Sequence, residues 1–258
     1  MMFTKQDLIN DLNTLGIDNN GVLLVHSSMK AIGPVEGGAD TVLDALSEIM
    51  AGGLLVLPTH SWDKHNLASG IFDPDKEPSC VGILSEMFRH RAGVIRSLHP
   101  THSVATLGNG AAQFIAGEEN ATSPCPRYGA WGKLYDTDAQ ILFLGCPLTR
   151  NTYIHGVEEW CGIPHRIDAN PEAIKIRKGE HIINTVLHRH KSPVKSIHEN
   201  YGKLEKPFID LGIGHWGQVG EAKVFLAQAK AMADITTAFL KKNQDLFIDD
   251  TPVPESWY

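Results

Sequence analysis

The stretch Val22-Leu-Leu-Val25-His26-Ser27-Ser28, a helical run marked by Val42, Leu43, Leu46, Ile49 and Met50, a Gly52-Gly53 break, and a second apolar run, Leu54-Leu-Val-Leu57, decide the fold. Neither apolar run alternates with polar residues, so each reads as a strand buried on both faces, and the helical spacing between them predicts a crossover helix beginning near Gly38-Ala39. Upstream, Thr4 stands three residues before Asp7 as a capping box, Leu8, Leu12 and Leu15 share one helical face, and Gly16 supplies a stop. The chain therefore opens helix, strand, helix, strand.

The same reading continues outward. Residues 63–80 are polar and Pro-rich and read as a long surface loop. Residues 103–107 and 141–145 read as strands, 151–160 as a helix, 173–177 with 181–187 as a hairpin around Lys178-Gly-Glu180, and 220–240 as a closing helix. The expectation is one domain spanning 1–258, an α/β fold in three α/β/α layers with a mixed central sheet. Its ligand crevice should lie at the strand ends, where His26-Ser27-Ser28 and Thr59-His60 stand.

Composition narrows the classes. A chain of 258 residues with 42% apolar content can bury a large core. No apolar run approaches the roughly 20 residues that span a bilayer. The opening Met-Met-Phe-Thr-Lys-Gln-Asp does not read as a signal peptide, which makes a cytoplasmic location the default expectation. A net charge of −7 counts against sequence-independent nucleic-acid binding and suits a cationic substrate. Cys80, Cys125, Cys146 and Cys161 contain no Cys-x-x-Cys pair and read as buried thiols.

Three segments carry chemistry. Residues 25–38, Val-His-Ser-Ser-Met-Lys-Ala-Ile-Gly-Pro-Val-Glu-Gly-Gly, combine a strand end, hydroxyls, Lys30 and glycines. This is phosphate-binding vocabulary, although Gly-rich strand-to-helix loops also occur without any phosphate. It matches neither the P-loop nor the dinucleotide fingerprint. Arg96-Ser97-Leu-His99-Pro-Thr-His102-Ser103 offers a guanidinium for bidentate phosphate pairing, while His99 and His102 read alternatively as metal ligands, a reading Pro100 disfavours. In 151–160, His155 and Glu158 fall three apart on one helical face, so the carboxylate can fix an imidazole tautomer and raise the basicity of the other nitrogen. A helical surface pair is the plainer alternative. Trp160 stands where a zinc-protease motif needs its second histidine. Cys146, after a strand, reads as buried rather than as a nucleophile.

Taken in order, these segments resemble the aminoglycoside 3-N-acetyltransferase (antibiotic N-acetyltransferase) family. The resemblance is carried by His26-Ser-Ser-Met-Lys-Ala-Ile-Gly33, Leu57-Pro-Thr59, Phe72-Asp-Pro74, Glu86-Met-Phe-Arg89, Arg96-Ser97 with His99-Pro100 and Ser103, and His155-Gly-Val-Glu158. It implies transfer of the acetyl group of acetyl-coenzyme A to an aminoglycoside amine, the 3-amino group of the 2-deoxystreptamine ring, in a ternary complex and without a metal. His155 would be the general base and Glu158 its partner. His26, Ser27, Ser28, Lys30, Ile32, Gly33, Arg96, Ser97 and Ser103 would hold coenzyme A, and Asp73 and Glu86 would receive acceptor ammonium groups. The resemblance leaves a homodimer open. Where the family shows Gly-x-x-Ser-Pro before Lys-Leu-Tyr, this chain has Tyr128-Gly-Ala-Trp-Gly-Lys-Leu-Tyr135, so its acceptor side differs. The competing classes are acetyl transfer to another amine, a metal-dependent hydrolase drawing on the 13 histidines, and a coenzyme A-binding protein without turnover.

Overall fold

The computed structural model describes residues 2–62 and 70–258. The strands are β1 (Val22–Ser27), β2 (Leu54–Pro58), β3 (Ile71–Phe72), β4 (Ile95–Arg96), β5 (Val104–Gly108), β6 (Gln140–Leu144), β7 (Glu172–Lys178), β8 (His181–Leu187), β9 (Gly214–Val219) and β10 (Ala222–Gln228). The helices are α1 (Lys5–Asn13), α2 (Ala39–Ile49), α3 (Ile83–Phe88), α4 (Ala111–Ile115), α5 (Ala130–Asp136), α6 (Thr152–Trp160), α7 (Glu205–Asp210) and α8 (Ala229–Lys242).

Seven strands form the main sheet in the order β4-β5-β2-β1-β6-β10-β9. Its centre, β2-β1-β6, is parallel, whereas β5, β4, β10 and β9 join as antiparallel pairs on the two flanks. The sheet is mixed, as expected. Strand alternation divides the core into two layers: Leu23 and Val25 face one side with Leu55, Leu57, Leu142 and Leu144, while Leu24 faces the other with Val56, Ile141 and Phe143. Residues of α1, α2 and α3 pack on the first layer, and those of α4, α5, α6 and α8 on the second. Both faces are thus covered, which is why the central strands are apolar throughout rather than alternating.

Local chemistry explains several elements. Thr4 and Asp7 form the reciprocal capping box at the start of α1, and Gly38 precedes α2. The hairpin at 173–187 is present as β7 and β8, but it belongs to a separate sheet in which β3 pairs parallel with β7. The expected surface loop at 63–80 includes 63–69, which lie outside the described residues; its remainder contains β3.

The expected helix over 220–240 is corrected. Its first part is β10, which inserts between β6 and β9, and only from Ala229 is the chain helical. The Ala-rich text from 222 to 240 imitates a single helix, yet Val224-Phe-Leu-Ala227 is buried on both faces just as β1 is. Tertiary burial overrides propensity there.

Among the described residues, no helix is long and apolar enough to cross a membrane.

Candidate active site

The carboxyl ends of the parallel strands open into one cavity of about 810 Å³. Ser27 ends β1 and Ser28 follows it, Pro58 ends β2 with His60 just beyond, and Gly145 and Cys146 follow β6, so each central strand delivers a loop to it. This is the crevice that a parallel sheet leaves at its strand ends. Gly145 makes the exit from β6 with φ +69, and a Cβ there would lie 2.5 Å from the Cβ of Ala31, so both backbone conformation and packing require glycine. Beyond it, residues 148–150 form a 3-10 turn, and the Asn151 side chain accepts a hydrogen bond from Tyr153 N to cap α6. That cap sets where His155 falls.

His155 lines the cavity with its side chain one-fifth exposed, and Glu158, one turn further, is fully buried. The two do not pair directly: Nδ1 and Oε2 stand 3.8 Å apart. Between them lies the hydroxyl of Tyr201, 2.6 Å from His155 Nδ1 and 2.5 Å from Glu158 Oε2. Arg166 Nε donates to the other carboxylate oxygen at 2.6 Å. The sequence expectation of a direct His-Glu contact is therefore revised, because the buried carboxylate reaches the imidazole through a phenol.

The expected rise in basicity is revised as well. Burial, with His190, His198, His60 and Arg166 as further unfavourable neighbours for a cation, holds His155 well below the usual histidine range. A neutral imidazole follows. Its ring packs against His190 at 4.5 Å, and His190 in turn meets His102 at 5.0 Å.

Tyr201 sits on a 3-10 helix, Ile197–Leu204, and its ring meets Phe247 at 4.8 Å. Asn200 donates to the carbonyl of Phe247 at 2.9 Å and Lys203 to that of Leu246 at 2.7 Å. The segment after α8 thus braces the element that touches the imidazole. Sequence reading missed Tyr201 because it lies more than 40 positions from His155, in a polar stretch with no motif around it; only the tertiary fold joins them.

The other expected site residues separate into four groups. Ser27 and Ser28 line the cavity, as does His26, which is 7% exposed, stacks on Phe143 at 5.2 Å and is pushed by burial to a pKa of about 3. Lys30 is exposed at the adjacent turn, Ile32 is in the core, and Gly33, at φ +85, faces the Glu221 carboxylate, so Ile32 and Gly33 shape the loop rather than line the cavity. Arg150, which sequence reading did not single out, lines the cavity and pairs loosely with Glu199 at 3.8 Å.

Arg96, Ser97 and Ser103 are not among the residues lining the cavity. The Arg96 guanidinium donates to the carbonyls of Pro74, Glu77 and Thr59 and to Ser103 Oγ. Ser103 Oγ donates to Thr59 O, and Ser97 Oγ to Glu118. All three knit loops together, and four of the five Arg96 N–H donors are spent on the protein itself rather than on a phosphate. Asp73 pairs with Arg177 at 3.2 Å, and Glu86 holds Arg89 through both carboxylate oxygens, which keeps its carboxyl near a pKa of about 2 against the opposing effect of burial. Neither lines the cavity.

The metal-ligand reading of His99 fails on its bonding. Nδ1 accepts from Thr101 N and His102 N, and Nε2 donates to Ser123 O at 2.9 Å, so both ring nitrogens are used. Cys146 lines the cavity, but burial pushes its thiol up to about 12, which leaves no thiolate at neutral pH.

Fold and site together define a class: a three-layer α/β protein whose sheet-end cleft presents a neutral imidazole backed by a buried carboxylate. The chain belongs to the aminoglycoside 3-N-acetyltransferase family, whose profile matches residues 24–241. It is 27% identical to an aminoglycoside N(3)-acetyltransferase III of a Salmonella species, covering 94% of this chain and 93% of the relative. It is also 28% identical to the prophage-derived aminoglycoside N(3')-acetyltransferase-like protein YokD of Bacillus subtilis strain 168, covering 69% and 72% of the two chains. Among solved structures, the apoenzyme of aminoglycoside acetyltransferase AAC(3)-IVa superimposes with a TM-score of 0.83 at 25% identity over 99% of this chain and 94% of that one. A mutant of that enzyme, solved in complex with a gentamicin, gives 0.82 at 25% identity over 96% and 92%.

Proposed function

We propose that this chain transfers the acetyl group of acetyl-coenzyme A to an amine of an aminoglycoside, the 3-amino group of the 2-deoxystreptamine ring, within a ternary complex. The observation that carries the reading is the neutral imidazole of His155 at the wall of the cavity, with its Nδ1 engaged inside the protein. An alkylammonium has no lone pair, so an acceptor amine must lose a proton before it attacks a thioester, and a neutral ring nitrogen is the group that takes it.

The cavity suits the donor. Ser27 and Ser28 supply hydroxyls, and the cations Arg150 and Lys30 stand near the same strand ends, a set that fits the phosphates of coenzyme A. Acceptor ammonium groups meet a different problem, since the cavity's two guanidiniums already hold carboxylates: Arg189 binds Glu172 at 2.8 Å and Arg150 faces Glu199. Glu172 and Glu199 are therefore the carboxylates for which an incoming ammonium would compete. We read the chain as a single catalytic domain working in the cytoplasm.

Thiol release from acetyl-coenzyme A against a panel of aminoglycosides and simple amines, with mass spectrometry of the products, tests the reading. An acetylated aminoglycoside supports it; release only with simple amines moves the acceptor class. His155→Ala should lower turnover by about 100-fold or more while leaving coenzyme binding intact, and unchanged turnover would refute the base assignment.

A further inference from the structure

We propose that Tyr201 is a positioning residue that sets the tautomer of His155, and that it, rather than direct contact with Glu158, makes the cavity-facing nitrogen a proton acceptor. The proposal rests on the reading of His155 as the base.

The geometry carries the argument. The hydroxyl lies 2.6 Å from Nδ1 and 2.5 Å from Oε2, whereas the direct Nδ1 to Oε2 separation of 3.8 Å is too long for a hydrogen bond. A phenol has one proton to give, so the two short contacts run in one direction along the chain. In one direction Tyr201 donates to Glu158 and accepts Nδ1–H, leaving a lone pair on Nε2. In the other, a protonated Glu158 donates to Tyr201, Tyr201 donates to Nδ1, and Nε2 carries the proton. Only the first direction yields a base at the cavity.

Arg166 chooses between them. Its Nε donates to Glu158 Oε1 at 2.6 Å, and both side chains are nearly or fully buried, so the pair is stable as guanidinium and carboxylate and the carboxylate accepts from both sides. Burial pushes the Glu158 carboxyl upward, but the Tyr201 hydroxyl and the Arg166 guanidinium both favour its charged form, and a carboxylate so held has no proton to send toward Tyr201. The hydroxyl must then donate to it and accept from His155. Among the described residues, the groups around the ring are Glu158 on its own helix, His60 after β2, His102 before β5, His190 after β8, Arg166 after α6, and His198 and Tyr201 on the 3-10 helix. Tyr201 alone among the described residues bonds the Nδ1 side.

The phenol is itself held from outside the cleft. It is 1% exposed, edge-on to Phe247, on a helix tied to the carbonyls of Leu246 and Phe247. Such bracing removes the freedom that would let the hydroxyl swing between partners.

The test uses the full chain, without substrates, in histidine-selective proton–nitrogen NMR spectra. The wild type should show His155 with a protonated Nδ1 and an unprotonated Nε2, and a slowly exchanging Tyr201 hydroxyl proton with a cross-peak to the Nδ1 proton. Tyr201→Phe, which removes one oxygen, should give a mixture of tautomers. It should lower kcat on the order of 10- to 100-fold with KM for both substrates within about twofold, the pattern of a lost orienting partner. A wild-type spectrum with the proton on Nε2 overturns the proposal, as does a folded Tyr201→Phe protein with unchanged tautomer and kcat. Should that variant not fold, the wild-type spectrum and hydroxyl cross-peak decide alone. Failure of the underlying reading is distinguishable: full turnover by His155→Ala removes the base, whatever tautomer the spectrum shows.

Discussion

At Arg96 a guanidinium suited to phosphate is spent on the protein's own carbonyls, and the side chain becomes a structural knot between the loops at 74–77 and 59. Arg96→Met should lower unfolding stability by on the order of 3 kcal/mol, because several carbonyls lose a charged donor at once. The KM for acetyl-coenzyme A should stay within about twofold, since uniform binding is untouched. Urea unfolding alongside steady-state kinetics checks both; a large rise in KM at unchanged stability would return Arg96 to the cofactor. His155 shows the complementary case. Its place on the helix face was legible from the spacing to Glu158, but its bonding was not, because the partner that occupies Nδ1 arrives from a distant element and leaves no local trace in the text.

Elements were legible where burial follows sequence periodicity without competition. The apolar runs of β1, β2 and β6 and the capped helix α1 could be read directly, since four apolar residues in a row or a leucine stripe admits one economical packing. β10 could not, because an Ala-rich continuation into α8 gives the same residues good helical propensity and only the sheet decides. Short pieces such as β3, β4 and α4 carry too few residues for any period to show. Within α6, the Asn151 cap links element to site. Asn151→Ala should cost about 1 kcal/mol in urea unfolding, typical for loss of a side-chain cap. Turnover should fall as the first turn frays beneath His155. Asn151→Asp, which keeps the acceptor, should recover most of the stability, and equal losses for both variants would count against the cap.

Across the whole molecule, the histidines tie stability to pH. Burial depresses His26 to about 3 and His190 to about 4, and it lowers His60, His99, His102 and His155 below their usual 6.5. The unfolded chain binds protons near pH 6.5 while the native chain does not, so stability is fully present above that pH and falls as pH drops through 6.5 toward 4. Glu158, Glu159 and Glu77, whose carboxyls burial pushes upward, act in the opposite sense but are fewer. Urea midpoints between pH 7.5 and pH 4 should decline steeply below about 6.5, with net proton uptake on unfolding; a flat profile would mean the imidazoles are hydrated or charged in the native state. The brace from Leu246 and Phe247 to the 197–204 helix has a consequence of another kind. Variation in this family is easily sought in the residues that meet the drug, yet here a substitution near residue 246 can retune the imidazole with the cleft wall unaltered. A survey of variants confined to the cleft would score such a protein as unchanged while its turnover had shifted.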